Sequence, residues 1–462
     1  MAAFPDVVVL LPGVSGSALA KDGKEIWGTS SGALWGAVSS IGKSIRQLKL
    51  GDDDPSVDDL GDGITATRLI PDLHMIPGLW KIDGYSATSA SLLQGGLKAN
   101  QNYFEFPYDW RRDNRVSARR LAQATKAWLQ AWRTSSGNDK AKLILIGHSM
   151  GGIVARYFLE VLGGWRDTRS LISFGTPYRG SLNAVGYLAN GYAKGIGPLK
   201  VDFSDTIRSF TALYQLLPTF KCVDKGDGKV VRVGETSGLP NVDATRAAQA
   251  LAFHREIQDA QQRNSQDEAY RRDGYKIFPI VGIEQPTFVS AILRDGKLEL
   301  RQSLEGKVIG GDSVVPRHSA TPLELSDQRR EMFAAEAHAS LQNFAPVLTQ
   351  TGGVLTGNQF DLGTIEMTQL AQVTLGLDLQ DVYGAGPVEI NAKPSKPVPL
   401  EVQIFDAPTR RLVAQAPLKA SDDGYARAHV TLPPGAYRVT VGGDERVSPV
   451  TDACLVIDPE AA

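Results

Sequence analysis

The residues best suited to chemistry are a serine in a glycine frame and a carboxylate–histidine pair far downstream. Gly147-His-Ser-Met-Gly151 follows the apolar run Leu143–Ile146 and opens a helical pattern over Met150–Leu162. A serine on such a sharp strand-to-helix turn exposes its hydroxyl as a nucleophile, and the glycines let strand and helix approach closely. A second match, Gly28-Thr-Ser30-Ser-Gly32, has no strand before it and reads as a loop. Ser149 is the expected nucleophile. His148 beside it points the other way in an extended chain and is expected to be structural.

A nucleophilic serine needs a base, and the base needs a group that orients it. The chain order Ser…Asp…His restricts the search to residues after 149. His254 falls mid-helix, His318 follows Asp312 by only six residues, and His429 lies in a region of period two. His338 sits in a loop between the apolar run Met332–Ala335 and the helical pattern Leu341–Leu348, and is the expected base. Asp312, just beyond Gly310-Gly311, is the expected acid. Two backbone N–H groups are expected to hold the oxyanion. One belongs to Met150, next to the nucleophile, and the other to Val14 in Pro12-Gly-Val-Ser-Gly-Ser17. This chemistry calls for no metal and no cofactor.

The elements that must position these groups are legible in the hydropathy pattern. Buried strands at Val7–Leu11, Leu143–Ile146, Leu171–Phe174 and Ile277–Val281 alternate with helical stretches such as 115–132. That alternation predicts an α/β domain with a mostly parallel sheet covered on both faces, over 1–352. Two long segments, 23–75 and 182–274, interrupt the rhythm and are cap or lid candidates. A linker is expected at 353–363. From 364 to 462 the period is two, with Pro/Gly/Asp turns, which predicts an antiparallel β-sandwich.

Composition excludes several classes. The 462 residues carry 49 Lys+Arg against 51 Asp+Glu, a net charge of −2, with 42% apolar residues. There is no global case for nucleic-acid binding. Cys222 and Cys454 are too few for a disulfide scaffold or a cysteine zinc site. No apolar run reaches the roughly 18 residues of a membrane-spanning helix. Asp6–Leu11 reads as a strand and not as a signal peptide, so the expected location is cytoplasmic, with peripheral membrane contact, or export by a leaderless route. Asp52–Asp62 reads as a solvated acidic loop.

Taken together, Leu11-Pro-Gly13 with Gly16-Ser17, Phe106-Pro-Tyr-Asp-Trp-Arg111, Gly147-His-Ser-Met-Gly151, Gly175-Thr-Pro177 with Gly180, and Gly311-Asp-Ser-Val-Val315 resemble the lecithin:cholesterol acyltransferase-like family. That family includes lysosomal phospholipase A2 and diacylglycerol acyltransferases. The resemblance spans about residues 5–350, and the Pro-Tyr-Asp-Trp-Arg run is its specific part. It implies an α/β-hydrolase fold, Ser149, Asp312 and His338 in the catalytic places, Val14 and Met150 as oxyanion donors, and a cap that meets lipid. Tyr108, Asp109, Trp110 and Arg111 would then be structural or site-lining. Two cysteines cannot reproduce the disulfide-bearing lid of the secreted animal members, and the C-terminal domain is not part of the family core.

The leading expectation is a hydrolase of lipid acyl esters acting through an acyl-enzyme at a membrane or micelle surface. A transacylase with an alcohol as acceptor shares the same chemistry, and an esterase of small soluble esters shares the same fold. A recruitment protein that uses its C-terminal domain to bind a protein partner is the reading from another class. Residues 26–48 carry Ile26, Trp27, Leu34, Trp35, Val38 and Ile41 with Lys43, Arg46 and Lys49, which makes Trp27 and Trp35 lipid-surface candidates. Packing of this stripe onto the core is the alternative. If the stripe meets lipid, Trp35→Ser lowers activity on vesicles far more than on a soluble short-chain ester, at an unchanged melting temperature. Equal losses with a lower melting temperature would make Trp35 a core residue.

Overall fold

In the computed structural model the described residues are 4–28, 46–76, 80–194, 201–325, 331–356, 373–384 and 386–457. The first domain is built on six parallel strands: β1 (Val7–Leu11), β2 (Tyr103–Glu105), β3 (Leu143–His148), β4 (Thr168–Phe174), β5 (Lys276–Gly282) and β6 (Met332–Ala334). Their order across the sheet is β6-β5-β4-β3-β1-β2. β1 and β3 are buried on both faces, as their unbroken Val/Leu/Ile runs require.

Three helices matter to the site. α1 (Asn114–Ser136) is capped by Asp113, whose carboxylate accepts the Arg115 N–H at 2.8 Å, and it ends at Gly137 in the left-handed region (φ 67°). Its buried stripe includes Val116, Leu121, Leu129 and Trp132. α2 (Met150–Glu160) follows the nucleophile turn and is buried along its whole length. α3 (Ala244–Asn264) packs on α2, with the Phe253 and Tyr157 rings stacked 5.4 Å apart.

The two long insertions are more mixed than expected. The 182–274 segment contains α3, 21 residues long, whose Phe253 and Ile257 side chains are buried in the core. Val223–Asp224 and Val230–Val231 of the same segment join a separate sheet ordered Val230–Val231, Val223–Asp224, Ser290–Arg294, Lys297–Arg301, which draws on residues beyond 274. The 23–75 segment contributes Lys24–Trp27 and Ile64–Leu69 on either side of Ser17–Lys21 in an antiparallel sheet. Trp27 is not a lipid-surface residue. It is 2% exposed, its indole N–H donates to Ser15 O at 2.8 Å, and its ring meets Trp110 edge-on at 5.0 Å. Trp35 and Ser30 lie outside the described residues. Among the described residues no helix is long and apolar enough to cross a membrane.

The expected linker begins inside a helix, since Ala345–Thr356 continues through 353–356. Beyond it stands one eight-stranded, mainly antiparallel sheet. Leu412–Ala420 pairs with Leu400–Asp406 along most of its length and with Ala426–Thr431 through Lys419 and Ala420. The sheet therefore curls over, and its halves enclose Val388, Ile390, Val402, Ile404, Val439 and Val441. The expected sandwich is realised as a single folded sheet.

This domain is tied to the first one. Leu73 joins Ala407, Ala436, Ala453 and Leu455 in an apolar cluster. Lys81 Nζ meets Asp452 at 2.6 Å and Asp381 at 3.0 Å, and Arg438 Nε donates to Asp83 at 2.5 Å. Burial by itself would lower the pKa of the Lys81 ammonium, but the two carboxylates reverse the effect and raise it. The Gln285 side-chain amide bridges to the second domain, its Nε2–H donating to Leu375 O and its Oε1 accepting the Leu377 N–H, both at 3.0 Å.

Two stability predictions follow from buried charge. Lys81→Met strands Asp452, whose side chain is only 7% exposed, and should cost about 3 kcal/mol in urea unfolding. His254 is buried on α3, donates Nε2–H to Gln215 O at 2.7 Å, and is pushed down to a pKa of about 4 by burial. Its unfolded value is higher, so the unfolded state binds the extra proton. Stability from this group is complete above about pH 6.5 and falls as the pH drops towards 4, by about 1.4 kcal/mol per pH unit. His254→Gln should flatten the melting-temperature curve in that window; an unchanged slope would show that His254 does not titrate on unfolding.

Candidate active site

Ser149 sits between β3 and α2 at φ 53°, ψ −125°, a backbone conformation rare for a residue with a side chain. Glycines make the turn fit. A Cβ on Gly151 would lie 2.6 Å from Leu11 O and Pro12 O, and one on Gly147 would lie 2.7 Å from Gly152 Cα. The Ser149 N–H donates to Phe174 O at 2.8 Å, extending the β3–β4 ladder into the turn.

The structure brings Ser149, His338 and Asp312 together. His338 Nε2 lies 2.9 Å from Ser149 Oγ, and Nδ1 lies 2.7 Å from Asp312 Oδ2. Asp312 Oδ1 accepts the N–H groups of Val314 (3.0 Å) and Val315 (2.6 Å), which fixes the carboxylate. The His338 N–H donates to Asp312 O at 2.7 Å, so acid and base are joined by backbone as well as side chain. Gly175, at φ 52°, passes beneath them; a Cβ there would stand 2.6 Å from Asp312 Oδ2. Ser149 and His338 keep slight exposure, 7% and 9%, while Asp312 is 1% exposed.

His318 is elsewhere. Its imidazole packs edge-on against Phe220 and has no hydrogen-bond partner among the described residues; burial pushes its pKa down to about 4. His254 is equally remote from the serine, held by Gln215 O on α3.

The loop after β1 abuts the nucleophile: a Cβ on Gly13 would lie 2.8 Å from Ser149 Cβ. Within it, the Gly13 N–H donates to Tyr85 Oη at 2.8 Å and the Gly16 N–H to Gly13 O at 3.1 Å. Val14 lies between these two committed amides. Met150 begins α2, so its N–H has no acceptor within the helix and shares the positive end of the helix dipole.

The Tyr108–Arg111 run braces that loop. Tyr108 Oη donates to Pro12 O at 2.7 Å, its N–H to Ser17 Oγ at 3.1 Å, and the Trp110 indole N–H to Ser17 O at 3.0 Å. Arg111, fully buried, forks onto Asp109 and reaches Asp62 and Leu48 O. Arg112 binds Asp53 and the carbonyls of Asp54, Val57 and Asp58. The acidic loop is solvent-exposed over most of its length, as expected, and these arginines hold it at Asp53, Asp54, Val57, Asp58 and Asp62. Among the described residues no group of three or more His, Cys, Asp or Glu is arranged to hold a metal ion.

Sequence reasoning missed Tyr85 and the contacts of His148. Tyr85 precedes the helix Ser86–Gln94 and carries no motif. Its partner His148 is 63 residues away, a separation that no local pattern reports.

The sheet order, the nucleophile turn and the strand-end loops are those of an α/β-hydrolase. A chain in the solved structure "The crystal structure of Tle4-Tli4 complex" is 16% identical, covers 78% of this chain and 99% of that one, and superposes with a TM-score of 0.51, a likeness of fold. "Phosphatidylcholine-sterol acyltransferase" of Gallus gallus is 32% identical over 120 residues, 25% of this chain. The match spans 28% of that relative's length. The family described as "Lecithin:cholesterol acyltransferase" matches residues 77–269. The segment that holds Ser149 and its bracing Tyr108–Arg111 run is therefore similar to the lecithin:cholesterol acyltransferase family.

Proposed function

We propose that this chain is a serine enzyme that cleaves acyl esters of lipids through a covalent acyl-enzyme. The observation that carries the reading is the unbroken chain from Ser149 Oγ through the His338 imidazole to Asp312, at 2.9 and 2.7 Å. His338 takes the proton as Ser149 Oγ attacks the ester carbonyl, then gives it to the leaving alcohol oxygen. Asp312 holds Nδ1–H and stabilises the imidazolium. The N–H groups of Val14 and Met150 receive the oxyanion. Water, activated by the same imidazole, attacks the acyl carbonyl and releases the acid and free Ser149.

Transfer to an alcohol is the second reading. It is favoured by the names of the matching family and of the avian relative, both acyltransferases. Chemistry on the serine is identical; the acceptor differs. Product analysis on mixed phospholipid vesicles with an added long-chain alcohol separates the two, as free fatty acid or as a new ester.

Ser149→Ala should remove activity by about a millionfold, leaving the trace that oxyanion binding supports. Asp312→Asn and His338→Ala should each cripple turnover and add little to Ser149→Ala, because the three act as a unit. Ordinary turnover by Ser149→Ala, measured alongside loss of fluorophosphonate labelling, would overturn the reading.

A further inference from the structure

A second chain of hydrogen bonds runs behind the first. The Gly13 N–H can only donate, and it donates to Tyr85 Oη at 2.8 Å. Tyr85 Oη lies 2.9 Å from His148 Nδ1, and His148 Nε2 lies 3.1 Å from His338 O. A carbonyl can only accept, so His148 Nε2 carries a proton. The single Tyr85 hydroxyl proton then goes to Nδ1, and every bond points one way: Gly13 to Tyr85, Tyr85 to His148, His148 to His338. The path is dry, with Tyr85 1% and His148 2% exposed. Space for it is reserved in the loop: a Cβ on Gly16 would lie 2.9 Å from Tyr85 Oη, and one on Gly13 3.2 Å from His148 Nδ1.

We infer that Tyr85 and His148 are positioning residues, a strut that sets the oxyanion loop and the backbone of the base at one fixed separation around Ser149. The inference rests on the catalytic roles proposed above. Its two ends are the two halves of the chemistry. One is the Gly13 amide, which precedes the Val14 donor. The other is the carbonyl of His338, whose N–H is already held by Asp312 O at 2.7 Å. With both sides of its backbone bonded, His338 cannot drift from Ser149 as it changes charge.

The strut also fits the charge that develops. The His148 and His338 rings stand 5.0 Å apart, tilted by 35°. When His338 takes the serine proton, a second cation at that distance would oppose it. Burial, with the neighbouring His338 adding to it, holds the His148 pKa well below its ordinary value, so His148 meets the new imidazolium as a neutral ring. Its Nδ1 lone pair stays available to Tyr85.

Tyr85→Phe tests this with the loss of one oxygen. On a soluble p-nitrophenyl ester, kcat should fall about 10- to 100-fold, the cost of a small misplacement of reacting groups. KM should stay within about twofold. A trifluoromethyl ketone, which mimics the tetrahedral oxyanion, should lose affinity by the same factor as kcat. His148→Gln, which keeps a donor for His338 O, should recover most of the activity that His148→Leu loses; where His148→Leu does not fold, Tyr85→Phe and His148→Gln carry the test. Unchanged kcat and ketone affinity in Tyr85→Phe would overturn the strut, as would a loss confined to melting temperature. Ordinary turnover by Ser149→Ala would instead overturn the proposed function on which the strut rests.

Discussion

Ser149 holds a left-handed backbone conformation, and a residue with a side chain stays there only when its surroundings leave no alternative, at a cost of about 1–3 kcal/mol. Four contacts impose it. β3 arrives fully paired between β1 and β4, the Ser149 N–H continues that pairing onto Phe174 O, and Gly147 and Gly151 let α2 start directly against β1. The strain aims Oγ out of the sheet edge and leaves the first N–H of α2 pointing at the same place. Every other part of the site is arranged around that fixed point.

The arrangement is drawn from the C-terminal ends of all six strands. β1 supplies the loop of Gly13 and Val14, the chain after β2 the tyrosine and tryptophan that brace it, and β3 the serine. The turn after β4 supplies Gly175, which makes room for the acid–base pair. The chain beyond β5 returns with Asp312, and the loop after β6 brings His338. Parallel strands point all their C-terminal loops to one side, so groups far apart in sequence converge there. A buried arginine pair extends the bracing outward: Arg111 and Arg112 lock the 52–62 loop against the run that holds the loop after β1. Such buried pairs add little net stability, but losing one partner leaves an uncompensated charge, so they fix geometry.

The second domain reaches the same loops. Thr451 N–H donates to Glu336, two residues before the base, at 3.0 Å, and Arg438 holds Asp83, whose N–H donates to Ala339 O at 3.1 Å. Gln285, bonded to Leu375 and Leu377, passes its own N–H to Gly311 O at 3.0 Å, next to the acid. The loops bearing acid and base thus lie between the parallel sheet and the curled one.

The fold class was legible in the sequence, which also offered Ser149 from its glycine frame and Asp312 and His338 from chain order as candidates. Unbroken apolar runs mark strands buried on both faces, period two marks the second domain, and glycine at fixed offsets marks the serine turn. It also offered Trp27 to lipid, since an apolar stripe looks the same whether it faces a bilayer or Trp110. Whatever depends on partners brought from a distance could not be read that way. Residues Ala244–Asn264 of the 182–274 segment pack on the core because α2 presents Tyr157 to Phe253. The acidic loop is held by arginines because α1 and the run before it deliver Arg111, Arg112 and Arg119 to it. Tyr85 gained a role because the loop after β1, the serine turn and the base loop meet at its hydroxyl. Periodicity records which face of an element is buried; it does not record what lies across the interface, and hydrogen bonds between loops are decided there.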